Sequence, residues 1–295
     1  MSARLALETK ASEMRPAPNN GFSLSPLSET VGRISALADY LDFRTGIPDE
    51  AGWRRLTELT DPDLLEGWHW DVTNRVGDRR VAAAYMSNWL LSFLVGGWLL
   101  PVLTEHRLPL AGHAETAIRR NDGGWFDGFA LDSLALGVLP DDPAAGDPLS
   151  VELPDRDVLF DSLADRLMSL DPVIHALRAA CPIGIPALWG AVADAISSQA
   201  LLLADLAGQD RQVVWRSAYA IIDRLDLRES RPRVRPRPFP VAHENGVTLF
   251  DVRGTCCLYY KTVKEPDRDG EGYCDSCPLR TDESRLTRLR ASIGG

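Results

Sequence analysis

Residues 81–103 read VAAAYMSNWLLSFLVGGWLLPVL, and whether this stretch spans a membrane or fills a core decides the fold. Its most apolar part, Trp89 to Leu103, runs for fifteen residues without a charge. A spanning helix needs about 20 apolar residues. Extension toward the N-terminus adds Ala82, Ala83, Ala84, Tyr85 and Met86 but meets Ser87 and Asn88. Thr104, Glu105, His106 and Arg107 close the other end, and Gly96, Gly97 and Pro101 weaken a span further. The stretch therefore reads as a central core helix, bent near Gly96–Gly97. No membrane span is expected, and at most a peripheral association with a membrane.

Helical periodicity continues on both sides. Ser28 to Phe43 predicts a first helix capped by Ser28, with Val31, Ile34, Leu37, Ala38 and Leu41 on one face. Asp49 to Leu59 predicts a second, short helix. Asp157 to Ala180 has helical period with a break near Asp171, where Pro172 follows. Leu188 to Leu206 and Arg211 to Leu225 predict two more helices. Between them lies a different texture. Asn121-Asp122-Gly123-Gly124 separates ETAIRR from WFDGFAL, the pattern of a hairpin, and DSLALGVL suits a third strand or a short helix. The fold class is thus mainly α (α+β), a helical domain with a small β hairpin.

Domain organisation follows from composition. Residues 1–22 read as a disordered lead-in with no apolar leader segment, which predicts a cytoplasmic protein with reduced thiols. The helical domain covers residues 23–229. Residues 230–240 (SRPRVRPRPFP) alternate arginine and proline and predict an extended linker. A C-terminal segment, residues 241–295, opens with a strand over Val247–Val252 and carries the cysteines. The chain has 295 residues, 45% of them hydrophobic, enough for a sizeable core. A net charge of −10 excludes general nucleic-acid binding. There is no GxGxxG after a strand and no GxxxxGK[ST] loop, so no built-in nicotinamide, flavin or ATP site is read.

Four of the five cysteines fall in twenty-two residues, as Cys256-Cys257, sixteen residues, then Cys274-Asp275-Ser276-Cys277. A tight set of thiolates is what soft metals and iron–sulfur clusters require. A structural zinc site draws ligands from two knuckles with residues between each pair. A vicinal pair departs from that spacing, because neighbouring side chains diverge, and a two-iron cluster suits it better. A redox dithiol on Cys274 and Cys277 is a third reading, although no thioredoxin-like pattern precedes it. On spacing alone the cluster, zinc and dithiol readings all stay open.

RGTCCLYYK followed by YCDSCPLR resembles the C-terminal iron–sulfur segment of the FhuF-like ferric-siderophore reductases. The match falls on Cys256, Cys257, Cys274 and Cys277, with Arg253, Leu258–Tyr260 and Pro278–Leu279 around them. The sixteen intervening residues exceed what that family usually places there, and the excess (KEPDRDGEG) is polar and turn-like, suited to looping out. The helical stretch around Trp189 is similar in character. The resemblance implies a [2Fe–2S] cluster on all four cysteines. It also implies one-electron reduction of a ferric siderophore, of the hydroxamate type, in the cytoplasm. Electrons would come from a separate donor protein. The physics agrees: each tenfold preference of a chelator for Fe(III) lowers the iron's potential by about 59 mV, and four-cysteine [2Fe–2S] centres reach about −400 mV. The alternatives are a zinc-stabilised binding protein without enzymatic activity, or an iron–sulfur electron-transfer protein with another partner.

Arg253, Tyr260 and Arg280 are the candidate substrate-binding residues, because they flank the cysteines. Solvated or salt-bridged arginine is the plainer reading of the first and last. Tyr259 and Tyr260, as a strand pair, would face opposite sides. Arg231, Arg233, Arg235 and Arg237 form a candidate anion-attracting stripe, with a stiff linker as the plainer reading. Trp68, Trp70, Trp125 and Trp189 are candidate pocket residues, but buried aromatics usually only pack. The five histidines show no metal spacing, and Cys181 reads as a buried small hydrophobe.

Overall fold

The computed structural model describes residues 25–225, 235–244, 246–262 and 272–293. The expected N-terminal tail, Arg231 and Arg233, and the polar excess between the cysteine pairs lie outside the described residues, apart from its last residue, Gly272. Eight α-helices are described: α1 (Pro26–Leu37), α2 (Pro62–Val76), α3 (Arg79–Glu105), α4 (Arg156–Met168), α5 (Asp171–Ala180), α6 (Ile185–Leu206), α7 (Arg211–Arg224) and α8 (Asp282–Ile293). They carry, with short 3-10 turns, more than half of the described chain, so the mainly helical class with small sheets holds.

The opening stretch is α3, capped by Asp78, whose Oδ1 accepts from the N–H groups of Arg80 and Val81 at 2.8 and 3.0 Å. Both α3 and α6 are long and apolar enough to cross a membrane by length and composition, yet 83% and 78% of their most apolar windows are buried inside the fold. They pack against each other as the centre of one large core, with Trp98 and Trp189 almost wholly enclosed. The helices α2, α4, α5 and α7 surround them.

Nine short strands complete the described fold: β1 (Asp42–Thr45), β2 (Trp53–Arg55), β3 (Leu108–Pro109), β4 (Thr116–Arg120), β5 (Phe126–Leu131), β6 (Leu136–Val138), β7 (Ser150–Glu152), β8 (Arg237–His243) and β9 (Gly246–Val252). The expected hairpin is β4–β5, turning at Gly124 with φ +79°. It forms the middle of a sheet ordered β1-β5-β4-β2. DSLALGVL supplies β6, in a second sheet ordered β3-β6-β7.

This sheet explains why α3 runs continuously through Gly96–Gly97. A Cβ on Gly97 would stand 2.4 Å from the ring of Phe129 on β5, whereas one on Gly96 would meet only Gln199 at 3.6 Å. Gly97 admits the sheet to the helix. Gly97→Ala is therefore expected to lower stability by about 1–3 kcal/mol through overpacking. Gly96→Ala is expected to raise it by up to about 1 kcal/mol through helix propensity. Thermal unfolding of the two variants checks this, and equal effects would refute it.

Several expected boundaries move. Ser25, not Ser28, caps α1: Pro26 takes the first helical position, and Ser25 Oγ accepts from the Ser28 N–H at 3.1 Å. That helix ends at Leu37, because Asp42–Thr45 is drawn into parallel pairing with β5, which sets Phe43 against Phe129. Asp49–Leu59 is not a helix; β2 pairs with β4, and a 3-10 turn, Glu58–Thr60, follows. The break near Asp171 is the junction of α4 and α5.

The second half of the Arg/Pro segment is also not a linker. Arg237–His243 is β8, paired antiparallel with β9. Pro238 and Pro240 alternate along it, so their missing N–H groups face away from β9, where an edge strand tolerates them. Phe239, Val241 and Val252 from this ribbon pack on Leu289 of α8 as a small core of their own. Leu249 joins Leu201 and Trp215, tying the ribbon to α6 and α7.

Candidate functional site

The end of β9 leads directly into the vicinal cysteines. Here the chain is held by a residue from the large core: Asp194 of α6, which is 2% exposed. Its Oδ1 accepts from the Gly254 N–H at 2.6 Å, and its Oδ2 from the Thr255 N–H at 2.8 Å and from the Thr255 hydroxyl. Burial raises the Asp194 carboxyl to about 6, against the lowering pull of these hydrogen bonds. Ser197, one turn on, reaches Asp251 Oδ2 at 3.2 Å. Asp194 was not singled out from sequence. An acid inside the apolar run LWGAVADAISSQALLL is the signal that marks it, since a buried carboxylate needs partners.

The second cysteine pair sits in a turn closed by the Cys277 N–H to the Cys274 carbonyl at 3.1 Å. Three arginines brace it. Arg285 of α8, wholly buried, donates to the carbonyls of Asp275 at 2.9 Å, Cys277 at 2.6 Å and Arg280 at 3.0 Å. Arg288 pairs with the Asp275 carboxylate at 2.6 Å. Arg280, 3% exposed, donates to the Cys274 and Tyr273 carbonyls and to Ser284. The guanidinium of Arg280 is thus turned into the loop as a strut rather than presented to a ligand. The Arg253 N–H closes the two halves together on the Ser276 carbonyl at 2.9 Å.

The four thiols meet as two pairs. Cys256 Sγ lies 3.8 Å from Cys277 Sγ. Cys257 and Cys274 lie close enough for each thiol to shift the other. Each member of the vicinal pair thus takes a different member of the Cys-x-x-Cys turn. Two thiolates on one tetrahedral metal with bonds of about 2.3 Å stand about 3.8 Å apart. Among the described residues no group of three or more His, Cys, Asp or Glu side chains is placed to hold a metal ion. All five cysteines are free thiols, and Cys181 is buried elsewhere.

The surroundings favour negative charge on one sulfur, Cys257, and disfavour it on Cys256 and Cys274. Arg253 Nη2 donates to Cys257 Sγ at 3.3 Å, and the Leu258 N–H to Cys256 Sγ at 3.4 Å. Leu258 holds φ +58°, a left-handed conformation costing about 1 kcal/mol for a side chain of this kind, and it turns that N–H back onto sulfur. The hydrogen bond from Cys274, then the charge of Arg253, lower Cys257 to about 5. The same bond raises Cys274, and burial pushes Cys256 up to about 11. Burial alone would lower Arg253, but the facing Cys257 thiolate outweighs it and raises the guanidinium. Its buried Nε has no acceptor among the described residues. Four soft donors with an orphaned N–H beside them are the kinds of group that an anionic, sulfur-bearing centre draws on.

The tyrosines are not a strand pair. Tyr259–Lys261 is a 3-10 turn. Tyr259, 43% exposed, stacks on Tyr85 of α3 with ring centroids 6.0 Å apart. Tyr260 meets Tyr273 edge-on at 4.8 Å. Among the tryptophans, Trp68 and Trp189 are core, Trp70 is exposed at 59%, and Trp125 meets Tyr85 edge-on. Arg235 and Arg237 pair with Asp223 and Asp282, which makes them surface ion pairs in place of a stripe.

Comparison with protein-family models returns no match. Comparison with curated proteins returns none either.

Proposed function

We propose that the chain is a ferric-siderophore reductase whose [2Fe–2S] cluster is held by Cys256, Cys257, Cys274 and Cys277. The observation that carries this reading is the gathering of all four thiols, with Cys256 Sγ 3.8 Å from Cys277 Sγ and with Cys257 and Cys274 each acting on the other. When bound, such a cluster supplies a low-potential one-electron couple, which suits reduction of Fe(III) held by hard oxygen ligands. The residues' own part is electrostatic and positional. Arg253 and the Leu258 N–H offset negative charge on the sulfurs, and Asp194, Arg280 and Arg285 keep the two cysteine segments in register. Cys256 and Cys274 are partly exposed, so the thiol site reaches the surface, as transfer to an outside acceptor requires. Electrons arrive from a separate donor in the cytoplasm. Both the siderophore and the cluster assignment draw on the resemblance of RGTCCLYYK and YCDSCPLR, and the gathering of the four thiols supports the second.

The test is metal analysis of protein purified without oxygen, followed by mixing the reduced chain with a ferric siderophore and an Fe(II) indicator. Iron and sulfide in equal amounts, and prompt appearance of Fe(II), are expected. Zinc without sulfide would overturn the reading and leave a zinc-stabilised binding protein. A cluster that ferric chelates leave reduced for hours would point to electron transfer with another partner.

A further inference from the structure

Arg253 directly follows the last residue of β9, and both its backbone and its side chain are committed to the thiol site. Its backbone N–H donates to the Ser276 carbonyl at 2.9 Å, which fixes the residue against the Cys-x-x-Cys turn. Its Nη2 donates to Cys257 Sγ at 3.3 Å. Its Nε is buried and has no acceptor among the described residues. A bare N–H inside a protein is costly, and its retention calls for an account.

Two acids face the same guanidinium. Asp251 stands two residues before it, on the same side of the extended chain. Asp194 holds the two residues that follow it, Gly254 and Thr255. Both carboxyls feel the charge of Arg253, yet their oxygens accept from other donors, Asp194 from Gly254 and Thr255, and Asp251 from Ser197. The guanidinium thus carries positive charge into a neighbourhood of two carboxyls and four thiols, and it takes a sulfur as acceptor. Hydrogen bonds to the sulfurs and net charge set the potential of an iron–sulfur centre. Reduction makes such a centre more negative. A cation that donates to one of its sulfurs favours the added charge, and carboxylates oppose it.

We infer that Arg253 is a positioning residue for electron transfer: its guanidinium, held at Cys257 by the backbone bond to Ser276, raises the reduction potential of the cluster proposed above against the pull of Asp194 and Asp251. The inference rests on that cluster reading. It also takes Arg253 out of the candidate substrate-binding set, because a guanidinium turned to a buried sulfur is not offered to a ligand at the surface. The sequence placed Arg253 beside the cysteines without showing which way its side chain turns.

The test is a redox titration of the full chain and of two neutral variants, Arg253→Gln and Arg253→Met, purified without oxygen and followed in the visible spectrum. Both variants keep the backbone bond to Ser276, so iron and sulfide should stay at the parental level. The ratio of reduced to oxidised chain at a fixed potential is expected to fall about tenfold, which for one electron is a midpoint lowered by about 59 mV. Arg253→Lys keeps the charge without the fork of donors, and it should recover part of that shift. A residue that only braced the turn would leave the midpoint where it was. An unmoved or raised midpoint in either neutral variant, with the cluster loaded, would therefore overturn the inference alone. A parent chain without iron and sulfide would overturn the cluster reading and the inference with it, so the two failures are distinguishable.

Discussion

A Cys274→Ser variant purified without oxygen is expected to lose nearly all the iron, sulfide and visible absorption of the parent chain. Cys274 is one of the four gathered thiols and acts on Cys257, so the substitution removes a donor from the group. A serine oxygen is a hard donor with a far higher pKa than a thiol, and it does not replace sulfur on a soft centre. The neighbouring framework does not depend on that sulfur. The turn is closed through backbone carbonyls by Arg280 and Arg285, so the variant should still fold, with circular dichroism like that of the parent. Cys181→Ser is the control. That thiol is 3% exposed and raised by burial to about 12, and it has no part in the quartet. Its loss should change stability but not iron content. Retention of full iron in Cys274→Ser would remove the four-cysteine site.

The second large effect concerns Asp194. Its ordinary value of 3.8 is raised to about 6 in the fold. Between those values the unfolded chain has released the proton while the folded chain still holds it. The folded state then binds more protons, so stability falls as pH rises through this window and levels off above about 6. The size is about 3 kcal/mol. Asp194→Asn removes the titration. Urea unfolding of both chains across the window should show the wild-type advantage shrinking by about that amount as pH rises. A difference independent of pH would refute it. The asparagine also sets an amide N–H against the Thr255 N–H, where Oδ2 had accepted. Leaving that donor unpaired costs about 1–3 kcal/mol. Amide exchange at Gly254 and Thr255 should quicken in the variant.

How legible these features were depends on the range of the forces behind them. Val81–Leu103 announced a core helix because its apolarity is local and unbroken, and α3 occupies it. Asn121–Gly124 and Pro172 are local signals too, and both landed where turn and break are found. Asp49–Leu59 failed because its helical composition yields to pairing between Trp53 and Arg119, far away in the chain. Pro238 and Pro240 argued against a strand, and only an edge with a free side admits them. Helices α2 and α8 were not foreseen, because polar residues interrupt the apolar period along both. At the site, the four thiols were plain from spacing. Asp194 and Arg285 were not, because each acts on backbone groups that sequence does not place near it.

The anchoring of Gly254 and Thr255 on Asp194 has a temporal consequence. During synthesis the ribosome releases α6 well before the cysteines, at about 5–20 residues per second. The helical domain can therefore collapse around α3 and α6 while the thiols are still in the exit tunnel. When the last segment emerges, its dock already stands in place. If the proposed cluster is bound, its loading would then be the closing event of maturation, and a chain with a damaged core would lack the dock that holds the vicinal cysteines.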